Sequence, residues 1–426
     1  MDRTLAIETT KKVGEKVLLK GWVDSVRDHG GITFIDLRDR SGLVQCVGKG
    51  LPRVTPESVV EIAGEVKKRP EKLVNKNLET GVVEIQIKKL KILSLADELP
   101  IPIQAKEGEV GATKRFNWRW INLRQEGKRQ IFEVWTALEK GFRDYWEQGG
   151  YVQVYSPSFM STASESGAEV FEVKYFERKA FLAQSPQFYK QMAMAAGFEK
   201  IFMVGPVFRA ELSFTTRHMT EFTGWDFEIS FIESHYDVMA EEEKMLVSAF
   251  KRVKADVGVD LEIPQIPFPK ISMAEAKNKL NKLGIESEKE YDVTPEEEKE
   301  LSRLIKEETG HDFVFLIDYP KEARPFYHMR HKDNPDLTMS FDLLYKGIEI
   351  TTGAQREHRI EVLEKQAKEK KMSLDDLKDY LNFFRYGCPP HGGGGIGPGR
   401  IVMKILDLPS VKEATFLPRD VKRLKP

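Results

Sequence analysis

The sequence predicts an α+β protein in two parts, a small N-terminal β-barrel of the OB-fold kind followed by a larger domain on an antiparallel sheet flanked by helices. Three observations carry this. Five short alternating apolar runs separated by glycine-containing turns fill roughly the first 95 residues. Strand-like runs in the remainder cluster together instead of alternating one for one with helices. The strongest helical periodicity lies beside those runs.

Along the chain, KVLLKGWVDSV, GITFIDLRD, GLVQCVGK, VVEIAGEVKKR and VVEIQIKKLKIL read as the strands of a barrel domain over residues 1–95. Residues 96–127 mix prolines, charges and aromatics, as a hinge does. The larger domain spans 128–426. It opens on an amphipathic helix, with Ile131, Val134, Leu138, Phe142 and Tyr145 at helical spacing and Gly149-Gly150 as its stop. YVQVYSPSFM reads as a strand, and Pro157 puts it at an edge or an interface because proline cannot donate to a ladder. KIFMVGPVFRAE and FTGWDFEISFI read as paired strands, and 233–256 as a helix. The charge-rich segment at about 270–312 reads as a helical insertion, with the EEEKE run at 296–300 as a solvated helix face. Strands FVFLIDY and MSFDLLYKGIEITTGAQ follow, then helices around 359–386 and after 399.

Composition excludes several classes. Of 426 residues, 41% are hydrophobic and 31% charged, enough apolar material for more than one core. Every apolar run is interrupted well before the roughly 18 residues of a membrane span, and MDRTLAIETTKK lacks the apolar stretch of a signal peptide, so no membrane partner and a cytoplasmic location are expected. Cys46 and Cys388 are too few for a disulfide framework or a thiolate zinc site. The net charge of −1 advertises no nucleic acid, and the excess of 18 Lys and Arg over 15 Asp and Glu in residues 1–100 neither supports nor excludes an RNA partner.

The chemistry-bearing residues concentrate in GPVFRAELSFTTRHMTEFTGWDFEISFI, residues 205–232. No glycine-rich loop ending in Gly-Lys-Ser/Thr is present, since HGGGGIGPGR at 391–400 lacks the lysine and the hydroxyl, so any phosphate must be held by arginines and metal. Arg209, leaving a strand, and Arg400, opening a helix, suit that task, because a guanidinium meets phosphate as a bidentate fork. Taken alone, each reads better as a surface ion pair. His328 and His331 in HMRH have near-helical spacing but no evident third ligand, and structural or surface roles are expected for them.

Taken together, FRAE, TTRHMTEF and DFE, then GGGGIGPGR, with YSPSF upstream, resemble motifs 2, 3 and 1 of the class II aminoacyl-tRNA synthetases. FLAQSPQFYKQ, IEITTGAQREHR and YGCPPHGGGG resemble the aspartyl members, of the compact archaeal kind, over essentially the whole chain. The resemblance implies ATP, L-aspartate and tRNA(Asp) as substrates, Mg2+ as cofactor, and a homodimer formed through the helix and strand around Pro157. It implies two steps, attack of aspartate on the α-phosphate of ATP and transfer of the aspartyl group to the tRNA 3′ end, neither needing an enzyme nucleophile.

By the same resemblance, Arg209 would hold the α-phosphate and the aspartate carboxylate, and Phe222 would stack on adenine. Glu211, Arg217 and His218 would contact adenine and the outer phosphates, Arg400 the γ-phosphate, with Ala210, Met219, Gly397, Pro398 and Gly399 completing the ATP site. Glu349 and Thr352 would bind magnesium, a hard ion that takes further ligands from water and phosphate. Lys190 and Arg356 would bind the side-chain carboxylate of aspartate, and two cations in one closed pocket favour an anionic substrate. Gln187, Asp226 and Thr352 would orient the rest of the amino acid, with Glu165 on a loop closing over it. In the barrel, Phe34 would stack on an anticodon base while Arg27, Gln45 and Glu84 read base edges; Phe34 could equally be core, since it alternates with its neighbours on one face.

His29 and Gly81 fall where relaxed members tend to carry them, which extends the expectation to tRNA(Asn). Gly399 replaces the acidic residue usual before the motif 3 arginine, and Leu212 and Phe214 replace more polar loop residues. Two alternatives remain at this level: an asparaginyl enzyme, or a synthetase-like protein without tRNA charging.

Overall fold

The computed structural model describes residues 1–106, 108–162 and 169–425, which divide into compact units Met1–Pro102 and Ile103–Pro426. The boundary falls within the stretch read as a hinge. Glu165 lies outside the described residues.

The first unit is a closed barrel of β1 (Lys16–His29), β2 (Ile32–Asp39), β3 (Gly42–Lys49), β4 (Val59–Lys68) and β5 (Val83–Ser94), in the order β1-β2-β3-β5-β4. Strand alternation decides what is inside: Val17, Leu19, Val23, Ile35, Leu37, Val44, Cys46, Val60, Ile62 and Ile85 form its core. The same alternation settles the open question about Phe34. Ile35 and Leu37 point in, so Phe34 and Asp36 stand on the outer face. Before β5, Gly81 lies so close to the 75–78 turn that a Cβ would sit 1.8 Å from the Asn75 carbonyl oxygen, so the backbone itself demands glycine there.

In the second unit, two short helices, α1 (Ala112–Asn117) and α2 (Arg119–Asn122), precede the amphipathic α3 (Gln130–Gln148). The stretch read as one strand around Pro157 is instead two short pieces, β6 (Val152–Gln153) and β7 (Phe159–Met160), in different sheets. Pro157 between them has no amide proton to continue a ladder. A small sheet of β7, β8 (Glu172–Tyr175) and β9 (Arg178–Leu182) leads into α4 (Gln187–Ala195).

The main sheet takes β10 (Lys200–Phe208) and β11 (Glu221–Ser230), then, after α5 (His235–Val257), β12 (Lys270–Ser272). Helices α6 (Met273–Lys282) and α7 (Pro295–Thr309) precede β13 (Phe313–Ile317), β14 (Ser340–Tyr345) and β15 (Ile348–Arg356). Helices α8 (Ile360–Glu369) and α9 (Lys378–Phe384), strand β16 (His391–Ile396) and α10 (Pro398–Ile405) close the chain. The order is β12-β13-β14-β15-β16-β11-β10-β6, antiparallel except for the parallel pairs β12/β13 and β6/β10 at its two edges.

One face of this sheet is apolar and covered. Trp225, Phe227, Ile229, Phe315, Phe341 and Ile350 pack with Leu138, Phe142, Trp146, Leu246, Phe250 and Val402 from α3, α5 and α10. Alternation sends Phe222, Gly224, Asp226 and Glu228 of β11 to the opposite face. That leaves the polar face free for chemistry.

The segment 270–312 departs from a detached module, because β12 belongs to the main sheet and α6 and α7 pack with β13 and β14 in a buried cluster including Ala276, Leu301, Ile305 and Val314. The acidic run on α7 departs from a solvated face for the same reason. Glu296 is exposed, but Glu297 completes a capping box with Thr294, and Glu298 is buried.

On α5, Glu242 is fully buried. Burial, with the charges of Glu243 and Asp342, outweighs a hydrogen bond from Thr351 and pushes it up to about 8. The folded state therefore holds a proton that the unfolded chain releases near its ordinary value. Stability is greatest below about pH 4.5 as far as this group is concerned, and is lost as pH rises toward 8. Glu242→Gln should raise the melting temperature at pH 9 by about 2–4 °C and change it far less at pH 5; differential scanning calorimetry at the two pH values checks this.

Candidate active site

The polar face opens into a cavity of about 490 Å3. It gathers Gln187, Lys190, Arg209, Glu211, Arg217, His218, Met219, Phe222, Asp226, Glu349, Thr352, Arg356, Gly397, Gly399 and Arg400, scattered over more than 200 positions of sequence. Ala210 and Pro398 flank it without lining it.

One end is rich in arginine. The Arg209 guanidinium lies 5.6 Å from the centroid of the Phe222 ring, and its backbone N–H donates to Thr220 across the base of the 209–220 loop at 2.9 Å. Arg217, on that loop, donates two bonds of 2.7 Å to Glu298 and stands 3.7 Å from Glu349. Arg400, in the first turn of α10, donates to the Glu349 carbonyl at 2.7 Å and lies 3.3 Å from its carboxylate. Burial alone would raise the Glu349 carboxyl, but Arg400, Arg217, Arg209 and Arg324 outweigh it and hold it at about 2. His218 is pushed down to about 4 by burial, then by Arg400 and Arg217, so it is neutral at pH 7. Glu298 moves the other way, up to about 7, through burial first and the Glu349 charge.

A β-bulge builds the pairing of Glu349 with Thr352. Residues three apart on a regular strand face opposite ways. Here Leu343 pairs with Thr351 and Leu344 with Glu349, so Ile350 is an extra residue that restores the phase. Glu349 and Thr352 then line one cavity, with the Thr352 hydroxyl donating to Glu349 at 3.2 Å. An ionised carboxylate beside a hydroxyl is a hard-oxygen donor pair. It fits an ion such as magnesium, which draws its remaining ligands from water and phosphate.

The other end is a buried, charge-balanced network. The Lys190 ammonium, 1% exposed, sits 2.7 Å from Asp226, 3.5 Å from Glu228 and 3.2 Å from the Gly394 carbonyl. Arg356 pairs with Glu228 at 3.1 Å, donates to the Gly393 carbonyl at 2.9 Å and to His328 Nε2 at 2.9 Å. Burial, then Arg356, holds His328 well below the ordinary histidine range. Because Asp226 and Glu228 already offset both cations, their number alone does not select an anionic substrate, contrary to the expectation from the sequence. Gln187 is buried, and its amide nitrogen has no hydrogen-bond partner among the described residues.

The glycine run serves this network rather than a phosphate loop. It is β16, between β11 and β15, and a Cβ on Gly393 would lie 2.0 Å from the Phe227 carbonyl and 2.3 Å from the Glu228 carboxylate. Residues with no role assigned from sequence also line or support the cavity. Arg324 stacks 3.6 Å from the Tyr319 ring centroid and pairs with Asp342 at 2.8 Å, while Glu228 and Glu298 neutralise Arg356 and Arg217. Glu228 was findable, two residues after Asp226 on the same strand face. Glu298 was hidden in an acidic run. His331 bonds Asp318 at 2.8 Å, and no group of three His, Cys, Asp or Glu suited to a metal occurs among the described residues.

On the barrel, Arg27, Phe34, Gln45 and Glu84 lie on β1, β2, β3 and β5, consecutive strands in its order. Arg27 pairs with Asp36 at 2.8 Å, Gln45 donates to the same Asp36 at 3.3 Å, and His29 meets Phe34 edge-on at 6.1 Å. Glu84 stands 3.7 Å from Arg69. Gly81 is a buried backbone position of the preceding turn rather than part of this outer face.

A barrel followed by an antiparallel sheet whose polar face carries an arginine cluster and an oxygen-donor pair is the arrangement of a nucleotide-using class II ligase. Residues 111–421 match the tRNA synthetases class II (D, K and N), and residues 17–93 match the OB-fold nucleic acid binding domain. The chain belongs to the class II tRNA synthetases of this D, K and N group, enzymes that use ATP to ligate amino acids to tRNA. Among its relatives, an Aspartate--tRNA(Asp/Asn) ligase of Aeropyrum pernix is 41% identical, over 97% of this chain and 96% of that one. An Aspartate--tRNA(Asp) ligase of Thermococcus kodakarensis is 38% identical, over 97% of each. Among solved structures, an asparaginyl-tRNA synthetase from Pyrococcus horikoshii complexed with asparaginyl-adenylate superposes with a TM-score of 0.90 at 29% identity, covering 100% of both chains. A putative aspartyl-tRNA synthetase from Leishmania major covers 100% of this chain and 95% of its own, with a TM-score of 0.88 at 29% identity.

Proposed function

We propose that the chain activates L-aspartate with ATP and transfers it to tRNA(Asp). The observation that carries this is the two-ended cavity, with Arg209, Arg217 and Arg400 at one end and the Lys190–Asp226–Glu228–Arg356 network at the other. The relatives named for aspartate, at 38–41% identity across nearly the full chain, support aspartate over asparagine.

In the first step an aspartate carboxylate oxygen bonds to the α-phosphorus as the bond to pyrophosphate breaks. In the second the terminal ribose hydroxyl attacks the acyl carbon and AMP leaves. The chain contributes position and charge. Arg209 would bridge the α-phosphate and the incoming carboxylate, Arg217 and Arg400 would neutralise the outer phosphates, and Phe222 would offer its face to adenine. Glu349 and Thr352 would hold Mg2+, which supplies charge stabilisation at the phosphate oxygens. Asp226 would take the ammonium, with Gln187 beside it. Lys190 and Arg356 would turn part of their hydrogen bonding to the aspartate side chain. Glu165, Ala210, Glu211, His218 and Met219 keep the roles that the family motifs imply.

Pyrophosphate exchange tests the assignment: aspartate should drive it and asparagine should not, and exchange driven by asparagine alone would overturn it. The outer face carrying Arg27, His29, Phe34, Gln45 and Glu84 supports anticodon reading, with His29 set against the base-stacking ring. We read it as accepting tRNA(Asn) too, so the two purified tRNAs should be aspartylated at rates within about tenfold, roughly 1.4 kcal/mol of discrimination. Exposed Val152, Tyr155 and Phe159 beside Pro157 support a homodimer through that segment; sedimentation at micromolar concentration should return twice the 48.9 kDa chain mass.

A further inference from the structure

We propose that Glu298 is a positioning residue for the nucleotide, holding Arg217 at the phosphate end of the cavity and tying it to the strand that carries Glu349; this rests on reading that cavity as an ATP site.

The geometry is specific. The Glu298 carboxylate takes both terminal nitrogens of Arg217, each at 2.7 Å, and one of its oxygens also accepts the Glu349 backbone N–H at 3.2 Å. One side chain of α7 thus bridges the 209–220 loop and β15. The backbone of the loop is held at Thr216 by Val411 and Ser410 and at Arg217 by Arg400, but its Leu212 and Phe214 are 71% and 65% exposed, and the terminal nitrogens of the Arg217 side chain are held by Glu298. A free arginine there would sample many rotamers before meeting phosphate; a bidentate partner selects one.

The sequence around Glu298 sets it in place. Pro295 opens α7, Thr294 and Glu297 cap each other, and Lys277 reaches Glu297 at 3.3 Å. That fixes the first turn and turns Glu298, the next residue, toward the cavity. A carboxylate buried to 4% exposure is costly unless paired, and Arg217 is its ion-pair partner. Three adjacent glutamates therefore have three fates: solvent, cap and site.

Calorimetric titration of ATP with magnesium, without amino acid or tRNA, on the wild type, Glu298→Gln, Arg217→Ala and the double variant tests the proposal. Glu298→Gln should weaken ATP binding about tenfold, and the double variant should bind no more weakly than Arg217→Ala, because Glu298 acts through that arginine. In pyrophosphate exchange, Glu298→Gln should raise KM for ATP by a similar factor and leave KM for the amino acid within about twofold. Should Glu298→Gln lower the melting temperature, Glu298→Asp, which keeps the charge, is the second variant, and its ATP affinity should fall between the two. Unchanged or tighter ATP binding, additive losses in the double variant, or equal shifts in both KM values would overturn the proposal. A wild type that fails to bind ATP would overturn the reading of the cavity instead, and an amino acid other than aspartate would leave Glu298 untouched.

Discussion

Lys190→Met should lower the stability of the fold by about 3–5 kcal/mol and abolish aspartate activation, because it strips the cation from a buried network and leaves its carboxylates behind. The Lys190 ammonium is 2.7 Å from Asp226 and 3.5 Å from Glu228, and the latter is fully buried. Arg356 still reaches Glu228, so the burden falls on Asp226. Adding Asp226→Asn should therefore recover part of the lost stability without restoring activity. Urea denaturation of the single and double variants reads this directly. Losses that simply add would mean that the pair is not coupled.

Glu349→Gln should cut aspartate-dependent pyrophosphate exchange by about 10²–10³-fold, the scale of removing one preorganised electrostatic partner from a transition state. The substitution keeps the shape and the hydrogen bond from Thr352 but removes the charge. Arg400 at 3.3 Å and Arg217 at 3.7 Å would then repel each other without their shared acid, and the magnesium requirement should rise in parallel. A magnesium titration of exchange activity measures both effects. Glu349 is held at about 2, so this group should contribute no acid limb to the activity profile between pH 5 and 8. An activity within tenfold of the wild type, with the same magnesium midpoint, would contradict the role given to Glu349.

Much of the fold was legible because alternation is a local property. The barrel strands, α3, and the pairing of β10 with β11 follow from periods of two and of 3.6 residues. The inside-out placement of Phe34 needed only the knowledge that Ile35 and Leu37 point inward. What escaped was non-local. Nothing in IEITT marks Ile350 as a bulge, since that depends on its pairing with Leu343 and Leu344. Lys190 of α4 and Arg356 of β15 read as two uncompensated cations because Glu228 belongs to a third element, β11. The sequence shows that the glycines of β16 are no Walker loop but not what they are for: at Gly393 the Glu228 carboxylate and the Phe227 carbonyl occupy the space that a side chain would need. Glu298 looked like one of several solvated acids until α7 was placed against the loop bearing Arg217.

The site motifs were legible for a different reason: the resemblance to the family's motifs set Arg209 beside Glu211 and Glu349 beside Thr352. The network that supports them is assembled from β11, β15, β16, α4 and α7, elements whose proximity no short window of sequence expresses.

The central claim is that this cavity selects aspartate and loads it onto tRNA. Incubating the enzyme with ATP, magnesium, purified tRNA(Asp) and equal concentrations of aspartate and asparagine, then identifying the esterified amino acid by mass spectrometry, tests it most directly. The account predicts aspartyl-tRNA in large excess; asparaginyl-tRNA as the main product would contradict it.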